Sequence, residues 1–530
     1  MYSKHQRIFL ALSSGILSGI AWNIFPAVIF IALVPLLILE NDLASAETSK
    51  SGSLFWLSWL SFIIWNVTAA WWVGYASIPG AIALLSFNSF WMAIVFWLFH
   101  ISKSKLKIKA GWLILIAYWL SYEYIYMRTE ISWPWFNLGN IFGNMTELVQ
   151  WYEYTGTLGG SLWILFINIG VAEAFRVFIS SKSLKSIGLR LTGIIVLLLL
   201  PSLLSLQMYY NYREIPNPVK VAVIQPNIDP YEEKFGNLTP GDQLRVILNE
   251  AEKANNGDID YFIGPETAIL GKNQESKILE SNSVISIKQF LKKNPGIKFV
   301  IGAETQKEYL PKEKPSYTAR KNDTTHLWED RFNSAIQVDS SDNVQIYHKS
   351  KLVTGVEKMP LLRYLKFLEK FPIKLGGTYG SLGTQNFREA FRAADSTSVA
   401  PIICFESVYG KYVTDYVKAG ANILFVITND GWWKNSTGTW QHLNLSRLRA
   451  IETRRSVARS ANTGISAIIN QRGDLVNYLD WAEKGALVAN VNKNSKLTFY
   501  TRHGDYPGKI ALLLSLISFG AILILKWRKK

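Results

Sequence analysis

Three reactive side chains in this chain each follow a short apolar run. Cys404, the only cysteine among 530 residues, ends the run in residues 400–407 (Ala-Pro-Ile-Ile-Cys-Phe-Glu-Ser). Glu266 follows residues 261–264, and Lys349 follows residues 344–348. A lone cysteine after an apolar run is more often a small buried hydrophobe. However, a thiol, a carboxylate and an amine that each follow a predicted strand favour a nucleophile with its base and its oxyanion partner.

The composition indicates a membrane protein and gives no sign of a metal or nucleic-acid site. Hydrophobic residues make up 49% of the chain and aromatic residues 13%, with 20 Trp. The formal charge is +16, but the basic residues lie in short loops beside apolar spans, which is typical of the positive-inside pattern rather than of a nucleic-acid surface. The six histidines show no ligand spacing, and neither CxxC nor HExxH occurs. We therefore expect no metal, no cofactor and no nucleic-acid partner.

The apolar spans predict eight membrane crossings around one aqueous domain. Each span has about the 20 residues that a helix needs to cross the hydrocarbon core. They cover residues 7–24, 25–40, 53–75, 80–101, 111–127, 161–180, 188–208 and 509–525. We expect a seven-span region at 1–212, an aqueous domain at 217–500 and a final helix with a basic tail at 505–530. The first span resembles no removable signal peptide, although the first two spans could form one re-entrant hairpin.

The charged loops predict the orientation of these spans. Lys4 and Arg7 precede the first span, and further basic residues lie in the loops at 103–109 and 182–190 and in the tail at 526–530. With eight spans, all of these segments fall on one side, which the positive-inside rule assigns to the cytoplasm. The aqueous domain then lies outside the cytoplasm.

The aqueous domain reads as an α/β fold. Its strands are predicted at 219–225, 261–264, 299–303, 334–338, 402–405, 423–428, 465–470 and 486–491. Helices are predicted at 243–254, 284–293 and 441–460. The strands are continuous apolar runs, as expected for sheets that are covered on both faces. Sites in such sheets lie beyond strand ends, where the three reactive groups are found.

Four segments in order resemble the motifs of the nitrilase (carbon–nitrogen hydrolase) superfamily. They are residues 264–267 (Gly-Pro-Glu-Thr), 347–353 (Tyr-His-Lys-Ser-Lys-Leu-Val) with Glu357, 402–406 (Ile-Ile-Cys-Phe-Glu) and 428–433 (Thr-Asn-Asp-Gly-Trp-Trp). Together with the membrane frame and residues 441–450 and 460–464, they make the whole chain resemble the bacterial apolipoprotein N-acyltransferase family. The resemblance implies an αββα sandwich with a Glu-Lys-Cys triad.

The resemblance assigns Cys404 as the nucleophile, Glu266 as the general base and acid, and Lys349 as the third member. A free thiol has a pKa of about 8.5, so it needs a base and a cation to react as a thiolate. Lys349 would supply positive charge to the oxyanion, aided by the backbone N–H of Phe405. Lys351 is a rival on the same side of an extended chain, but Lys349 aligns with the family motif.

Further residues match the family in supporting positions. We expect Glu357 to position Lys349 or the acyl-accepting amine, and Glu406 to act as a hydrogen-bonding support. Aromatic side chains could line an acyl-chain channel, although simple packing explains them nearly as well; these are Phe235, Trp432, Trp433 and Trp440. The chain departs from the family pattern where Phe235 stands for Trp, Phe405 for Tyr, and residues 354–357 (Thr-Gly-Val-Glu) for Pro-Phe-Gly-Glu.

The activity implied by the resemblance is ping-pong acyl transfer. A membrane phospholipid would acylate Cys404, and the α-amine of a diacylglyceryl apolipoprotein would accept the chain from a monomeric, membrane-embedded enzyme. One alternative is a membrane-anchored amidase or nitrilase that acts on a small C–N substrate with water as acceptor. Another is a transporter or structural membrane protein with an inactive domain, which the intact Glu, Lys and Cys set disfavours.

The charge pattern makes a topology prediction. In a Cys404→Ala background, Lys107→Cys should be shielded from an impermeant thiol reagent in intact cells, whereas Lys314→Cys should react. Labelling of intact and permeabilised cells, read by mass spectrometry, measures this difference. Reaction at position 107 in intact cells would contradict the predicted number of spans, and protection at position 314 would contradict the extracytoplasmic domain.

Overall fold

The computed structural model describes residues 2–45, 51–106, 111–293, 295–359 and 381–528. Lys107 and Lys109 of the basic loop, and Lys529 and Lys530 of the tail, lie outside the described residues. The chain divides into two compact units. Unit 1 comprises Met1–Asn211 with His503–Lys530, and unit 2 comprises Tyr212–Arg502.

Unit 1 is built almost entirely of helices, and unit 2 contains further helices. In chain order the α-helices of the described residues are α1 (Lys4–Asn23), α2 (Ile29–Ala32), α3 (Val34–Ala44), α4 (Ser51–Ala70), α5 (Val73–Ala76), α6 (Ile78–Leu106), α7 (Trp112–Tyr126), α8 (Tyr152–Thr155), α9 (Thr157–Ser181), α10 (Gly188–Asn211), α11 (Pro240–Ala254), α12 (Asn282–Lys292), α13 (Gly410–Lys418), α14 (Thr437–Thr453), α15 (Phe499–His503) and α16 (Tyr506–Trp527).

Six helical segments of the described chain are long and apolar enough to cross a membrane. They are Pro26–Ala44, Ser51–Ala70, Ile78–Leu106, Thr157–Ser181, Leu184–Asn211 and Tyr506–Trp527. Helices α1 and α7 coincide with the first and fifth predicted spans but are not among these six. The structure therefore supports a multi-pass membrane protein, and the count of eight remains a prediction.

Small residues let the helices of unit 1 approach closely. A Cβ atom on Gly19 of α1 would lie 2.1 Å from Thr68 Oγ1 of α4, and one on Gly508 of α16 would lie 2.6 Å from the side chain of Tyr124. Glycine at such contacts is typical of helix pairs in membranes, where close packing takes over from the hydrophobic effect.

The aromatic segment at 132–139 is packed inside unit 1. Trp135 and Phe136 are each only 1% exposed, so these rings pack within unit 1 rather than forming an exposed aromatic belt. Glu123 of α7 holds the segment, because its carboxylate accepts hydrogen bonds from Leu138 N at 2.8 Å and from Ser161 Oγ at 2.6 Å. A charged residue inside a predicted span thus has hydrogen-bond partners that compensate its burial.

Unit 2 contains two sheets. The strands of the described residues are β1 (Pro218–Gln225), β2 (Tyr261–Ile263), β3 (Ile269–Gln274), β4 (Lys298–Glu308), β5 (Arg320–Lys321), β6 (Trp328–Val338), β7 (Gln345–His348), β8 (Phe391–Arg392), β9 (Ser398–Ile403), β10 (Ile423–Thr428), β11 (Val457–Ala461), β12 (Ser466–Ile469), β13 (Leu475–Leu479) and β14 (Gly485–Asn492). The first sheet has the order β14-β1-β2-β4-β6-β5, with β3 paired to β4 and β7 to β6, and the second has the order β13-β12-β11-β10-β9-β8.

The two sheets pack against each other and carry helices on their outer faces. A core of apolar residues from β1, β2, β4 and β6 packs against α11 and α12, whereas α13 and α14 contact the second sheet. Between the sheets, the rings of Tyr261 and Phe425 meet edge to face at 5.4 Å. Strands β9 and β10 are buried along their whole length, which confirms the expectation from the continuous apolar runs.

The structure corrects the predicted helix at 441–460. Helix α14 ends at Thr453, because Arg454 adopts a left-handed conformation with φ of 50°, and residues Val457–Ala461 form strand β11. Strand β11 pairs in parallel with β10 from Val457 to Ala461. Strands β3 and β13, as well as the two-residue strands β5 and β8, were not predicted. These strands contain polar residues, so their sequences lack the apolar runs on which the prediction relied.

Candidate active site

Strand pairing brings the predicted base and lysine together. Glu266 lies in the turn between β2 and β3, and Lys349 directly follows β7. Strand β4 pairs with both β2 and β6, and β6 pairs with β7, so the two residues meet although 83 positions separate them. Lys349 Nζ donates to Glu266 Oε1 at 2.8 Å and to Glu357 Oε1 at 2.8 Å.

Cys404 begins a short 3-10 helix (Cys404–Val408) at the end of β9. The predicted strand at 402–405 therefore ends at Ile403. Cys404 has a left-handed backbone with φ of 47°, which is unusual for a residue that carries a side chain. The pKa of its thiol responds to burial and to the charges of Glu266 and Lys349, so these two residues lie near it. The described structure thus gathers the nucleophile, base and lysine candidates in one place.

The charges of the three groups differ at neutral pH. Burial disfavours ionisation of Glu266, but the Lys349 ammonium and the Asn333 amide hold the pKa of this carboxyl below its usual range. Burial likewise opposes the charge of Lys349, yet Glu266 and Glu357 raise its pKa well above the usual value. Burial and the Glu266 carboxylate raise the pKa of Cys404, and Lys349 only partly opposes this. The resting site therefore holds a neutral thiol beside an ionised carboxylate and an ammonium.

Glu357 lies where it can position Lys349. Its Oε1 accepts from Lys349 Nζ and, at 2.7 Å, from Asn333 Nδ2, while its Oε2 accepts from Val353 N at 2.7 Å. The same Asn333 amide donates to Glu266 Oε1 at 2.8 Å. Asn333, which the sequence did not single out, thus bridges the two carboxylates that contact the lysine.

Glu406 makes hydrogen bonds on both of its carboxylate oxygens. Its carboxylate is fully buried and accepts from four groups, which are Tyr347 Oη at 2.8 Å, Ser350 N at 2.7 Å, Tyr416 Oη at 2.8 Å and Ile403 N at 3.0 Å. These bonds join the segment after Lys349 to the turn that carries Cys404. The geometry fits the predicted support role.

Lys351 and Phe405 lie against Tyr409. The ammonium of Lys351 lies 4.7 Å from the centre of the Tyr409 ring and 5.6 Å from that of Tyr412, whereas Lys349 contacts Glu266. The Phe405 ring meets Tyr409 edge to face at 5.3 Å. Phe405 follows Cys404 in the first turn of its 3-10 helix, where backbone N–H groups have no acceptor within the helix. This position is compatible with the predicted oxyanion role.

Three aromatic residues form a cluster beside the site, which we call the aromatic cluster: Tyr231, Phe235 and Trp432. The Phe235 ring stacks on Trp432 at 5.9 Å, and Tyr231 meets Trp432 edge to face at 5.4 Å. Trp433 packs on His442 at 5.5 Å, whereas Trp440 contacts Tyr478 at 5.7 Å. Of the four aromatic residues predicted to line an acyl-chain channel, the structure brings Phe235 and Trp432 together. Trp433 and Trp440 pack against other residues.

A buried polar network behind the nucleophile was also missed. Ser407 Oγ donates to Cys404 O at 2.7 Å, and His442 Nε2 lies 3.0 Å from Ser407 Oγ. Asp430 contacts His442 Nδ1 at 2.9 Å and accepts from Arg459 Nη2 at 2.5 Å. Asp430 and His442 belong to motifs that carried the family resemblance, but their sequence positions alone did not indicate this contact.

No group of His, Cys, Asp and Glu residues in the described ranges could hold a metal ion. The arrangement of thiol, carboxylate and ammonium suits covalent acyl chemistry on Cys404.

Comparison with known proteins gives matches over most of the chain. The carbon-nitrogen hydrolase family matches residues 220–496, and the apolipoprotein N-acyltransferase N-terminal domain matches residues 14–170. A Chlorobaculum tepidum protein named apolipoprotein N-acyltransferase is 30% identical over 95% of this chain and 94% of its own. A Borreliella burgdorferi protein of the same name is 25% identical over 92% of this chain and 89% of its own.

The close contact at Gly302 yields a prediction about the site. A Cβ atom there would lie 2.5 Å from Thr267 N and 2.6 Å from the Cα atom of Glu266, and backbone atoms cannot move aside cheaply. Gly302→Ala should therefore displace the Glu266 turn, lower the free energy of unfolding by about 1–3 kcal/mol and slow acylation of Cys404. Gly485→Ala is the control, since its nearest neighbour would lie 3.8 Å away. Equal unfolding temperatures and rates for the two variants would contradict this account.

Proposed function

The chain belongs to the apolipoprotein N-acyltransferase family, and we propose that it transfers an acyl chain from a membrane phospholipid, through a thioester on Cys404, to an apolipoprotein. The acceptor is the N-terminal amine of a diacylglyceryl-cysteine. The observation that carries the chemical assignment is the buried Lys349 ammonium, which contacts both Glu266 and Glu357 at 2.8 Å. Glu266, Lys349 and Cys404 form the proposed triad.

In the first half-reaction the Glu266 carboxylate takes the proton of the Cys404 thiol. The sulfur then attacks the ester carbonyl carbon of the phospholipid, and a C–S bond forms as the carbonyl π electrons move to oxygen. Lys349 and the Phe405 N–H stabilise this oxyanion. When the carbonyl re-forms, the C–O bond to the glycerol breaks, and Glu266 returns its proton to the leaving alkoxide. The products are a thioester and a lysophospholipid.

In the second half-reaction the neutral α-amine of the apolipoprotein attacks the thioester. A C–N bond forms, the same oxyanion site stabilises the tetrahedral intermediate, and Glu266 accepts a proton from the nitrogen. The C–S bond then breaks, and the thiolate is reprotonated by Glu266. A thioester is reactive enough to acylate an amine. This reactivity explains why the transfer proceeds in two half-reactions through a cysteine thioester.

The membrane region would bring both lipid substrates to the site. The family and the six apolar helical segments support a multi-pass protein of the bacterial inner membrane. We assign residues 1–212 and 505–530 to its membrane part and residues 217–500 to a catalytic domain on the extracytoplasmic side, where exported apolipoproteins present their amines. Phospholipid and lipoprotein are both confined to this membrane, so the enzyme meets them at high local concentration.

One prediction of the proposed function concerns the nucleophile. Because Cys404 is the only thiol, incubation with phospholipid should add one acyl chain to this residue, and intact-protein mass spectrometry should detect it. Cys404→Ala should abolish the adduct and the transfer. Cys404→Ser should fold but lose most of the turnover, because an alkoxide is much harder to form than a thiolate. Full transfer by Cys404→Ala would end the proposal, and hydrolysis of a small amide by an enzyme that forms no thioester from phospholipid would favour the amidase alternative.

Another prediction concerns the base and the lysine. Glu266→Gln and Lys349→Ala should each slow thioester formation from phospholipid alone by about 10²–10⁴-fold, the range for loss of a general base or an oxyanion donor. Lys351→Ala is the matched control for the lysine and should retain the wild-type rate. Stopped incubations followed by mass spectrometry of the acyl-enzyme measure this step. A normal rate in Glu266→Gln or Lys349→Ala would show that the roles are wrongly assigned.

A further inference from the structure

A second buried lysine contacts the turn that carries Glu266. Lys234 lies in the segment between β1 and α11 and is only 2% exposed. Its Nζ donates to the backbone oxygen of Glu266 at 3.0 Å and to Thr267 Oγ1 at 2.8 Å. None of the steps described above uses this residue.

The backbone of Lys234 is itself fixed. Lys234 N donates to Asp229 O at 2.8 Å, and Gln243 of α11, which is 1% exposed, donates its side-chain amide to Lys234 O at 2.7 Å. The backbone of Lys234 is therefore anchored to α11 by a buried hydrogen bond, and its side chain extends from there to the Glu266 turn. Its side chain has little freedom to lie elsewhere.

The ammonium of Lys234 donates its hydrogen bonds to oxygens that carry no charge, although lysine is almost never fully buried unless it is paired with a charge. Burial lowers the pKa of Lys234 to about 8, against the opposing effects of the Glu266 and Glu304 carboxylates. Below that pH Lys234 keeps a charge that burial disfavours, and perturbed groups of this kind are concentrated at functional sites.

The turn that Lys234 contacts is strained. Thr267 has φ of 47°, a left-handed conformation that is a genuine outlier for a β-branched residue and persists only when its surroundings hold it. The hydrogen bond from Lys234 to the Thr267 hydroxyl helps to stabilise this left-handed conformation. The position of the Glu266 carboxylate depends on the same turn.

The residue after Lys234 belongs to the aromatic cluster. Phe235 stacks on Trp432, and Tyr231 Oη donates to Trp432 O at 2.8 Å. Trp432 lies just beyond β10, which pairs with β9, the strand that leads to Cys404. The segment that carries Lys234 therefore contacts the Glu266 backbone through Lys234. Through Phe235 it contacts Trp432, which follows β10, the strand paired with the one that leads to Cys404.

We propose that Lys234 is a positioning residue for the general base, whose ammonium fixes the Glu266–Thr267 turn and joins it to the aromatic cluster. The inference rests on the proposed function, since it takes Glu266 as the group that removes the thiol proton. Lys234 acts through Glu266 and contacts no reacting atom.

The test measures thioester formation on the full-length enzyme in detergent, with an equimolar mixture of phosphatidylethanolamine and phosphatidylglycerol and no acceptor. Lys234→Met should slow this step about 10- to 100-fold at pH 7, as expected for a displaced base, while its unfolding temperature stays within the range of the control Lys253→Met. Lys253 lies on the surface of α11, where its side chain is 71% exposed.

The pH dependence separates a charge at the base from a structural role. The wild-type rate should fall as the pH rises through about 8, where Lys234 loses its proton. The rate of thioester formation by Lys234→Arg should stay constant to higher pH. The rate of Lys234→Met should show no fall near pH 8. Of the other charged groups at the turn, the Glu266 carboxylate ionises at low pH and Lys349 loses its proton well above this window. Burial raises the pKa of Glu304, and the hydrogen bond from Gly271 N and the charge of Lys234 oppose that shift.

Two results would overturn the inference. One is a wild-type rate and pH profile in Lys234→Met, and the other is a rate loss that follows a fall in unfolding temperature. If Lys234→Met fails to fold, Thr267→Val decides, because it removes one acceptor and leaves the charge. We expect it to be about 10-fold slower, and a wild-type rate would overturn the inference. Absence of any thioester on the wild-type enzyme would instead refute the proposed function.

Discussion

The buried ammonium of Lys349 sets the geometry of the catalytic unit. A charge that is only 1% exposed needs partners that compensate its lost hydration, and loss of one partner of such a pair typically costs about 3–5 kcal/mol. Glu266 and Glu357 supply that compensation from two separate segments, with Asn333 between them. The turn between β2 and β3 and the segment after β7 must therefore meet beside strand β6 before the lysine can be buried, and these strands must hold their register.

This ion cluster also decides the resting state of the nucleophile. Burial and the Glu266 carboxylate raise the pKa of Cys404, whereas Lys349 alone would lower it. The resting thiol is consequently neutral, and in the proposed mechanism its proton moves to Glu266. A protonated thiol in a buried site is protected from adventitious alkylation and oxidation, because the thiolate is the reactive form. In the proposed mechanism, proton transfer from Cys404 to Glu266 is the step that activates the thiol.

Further buried groups hold the backbone around the nucleophile. Glu406 joins the turn at Cys404 to the segment after Lys349 through Ser350 N and Ile403 N. Ser407 also donates to the Cys404 carbonyl and contacts His442, which pairs with Asp430. These contacts stabilise a left-handed conformation at Cys404 that an isolated chain would rarely adopt. The sulfur is therefore presented by a turn that is fixed from both sides.

The sequence by itself determined the elements that carry the site. Continuous apolar runs marked most of the buried strands and the membrane segments, and the reactive residues followed those runs because sites of α/β sheets lie beyond strand ends. The local sequence pattern predicted one helix at 441–460, which was wrong. The left-handed Arg454 ends the helix, and a buried strand begins at Val457. Such a break leaves no periodic signal, since both elements are buried.

Only the tertiary structure decided which side chains support the chemistry. Asn333 contacts Glu266 at a separation of 67 positions, Lys234 contacts the Glu266 backbone at 32, and His442 contacts Asp430 at 12. Nothing in the local sequence of these residues indicates a partner, because their contacts arise from strand register and loop packing across unit 2. Residue type and spacing reveal groups that can react, whereas burial and hydrogen bonding in the folded chain decide how those groups are charged and held.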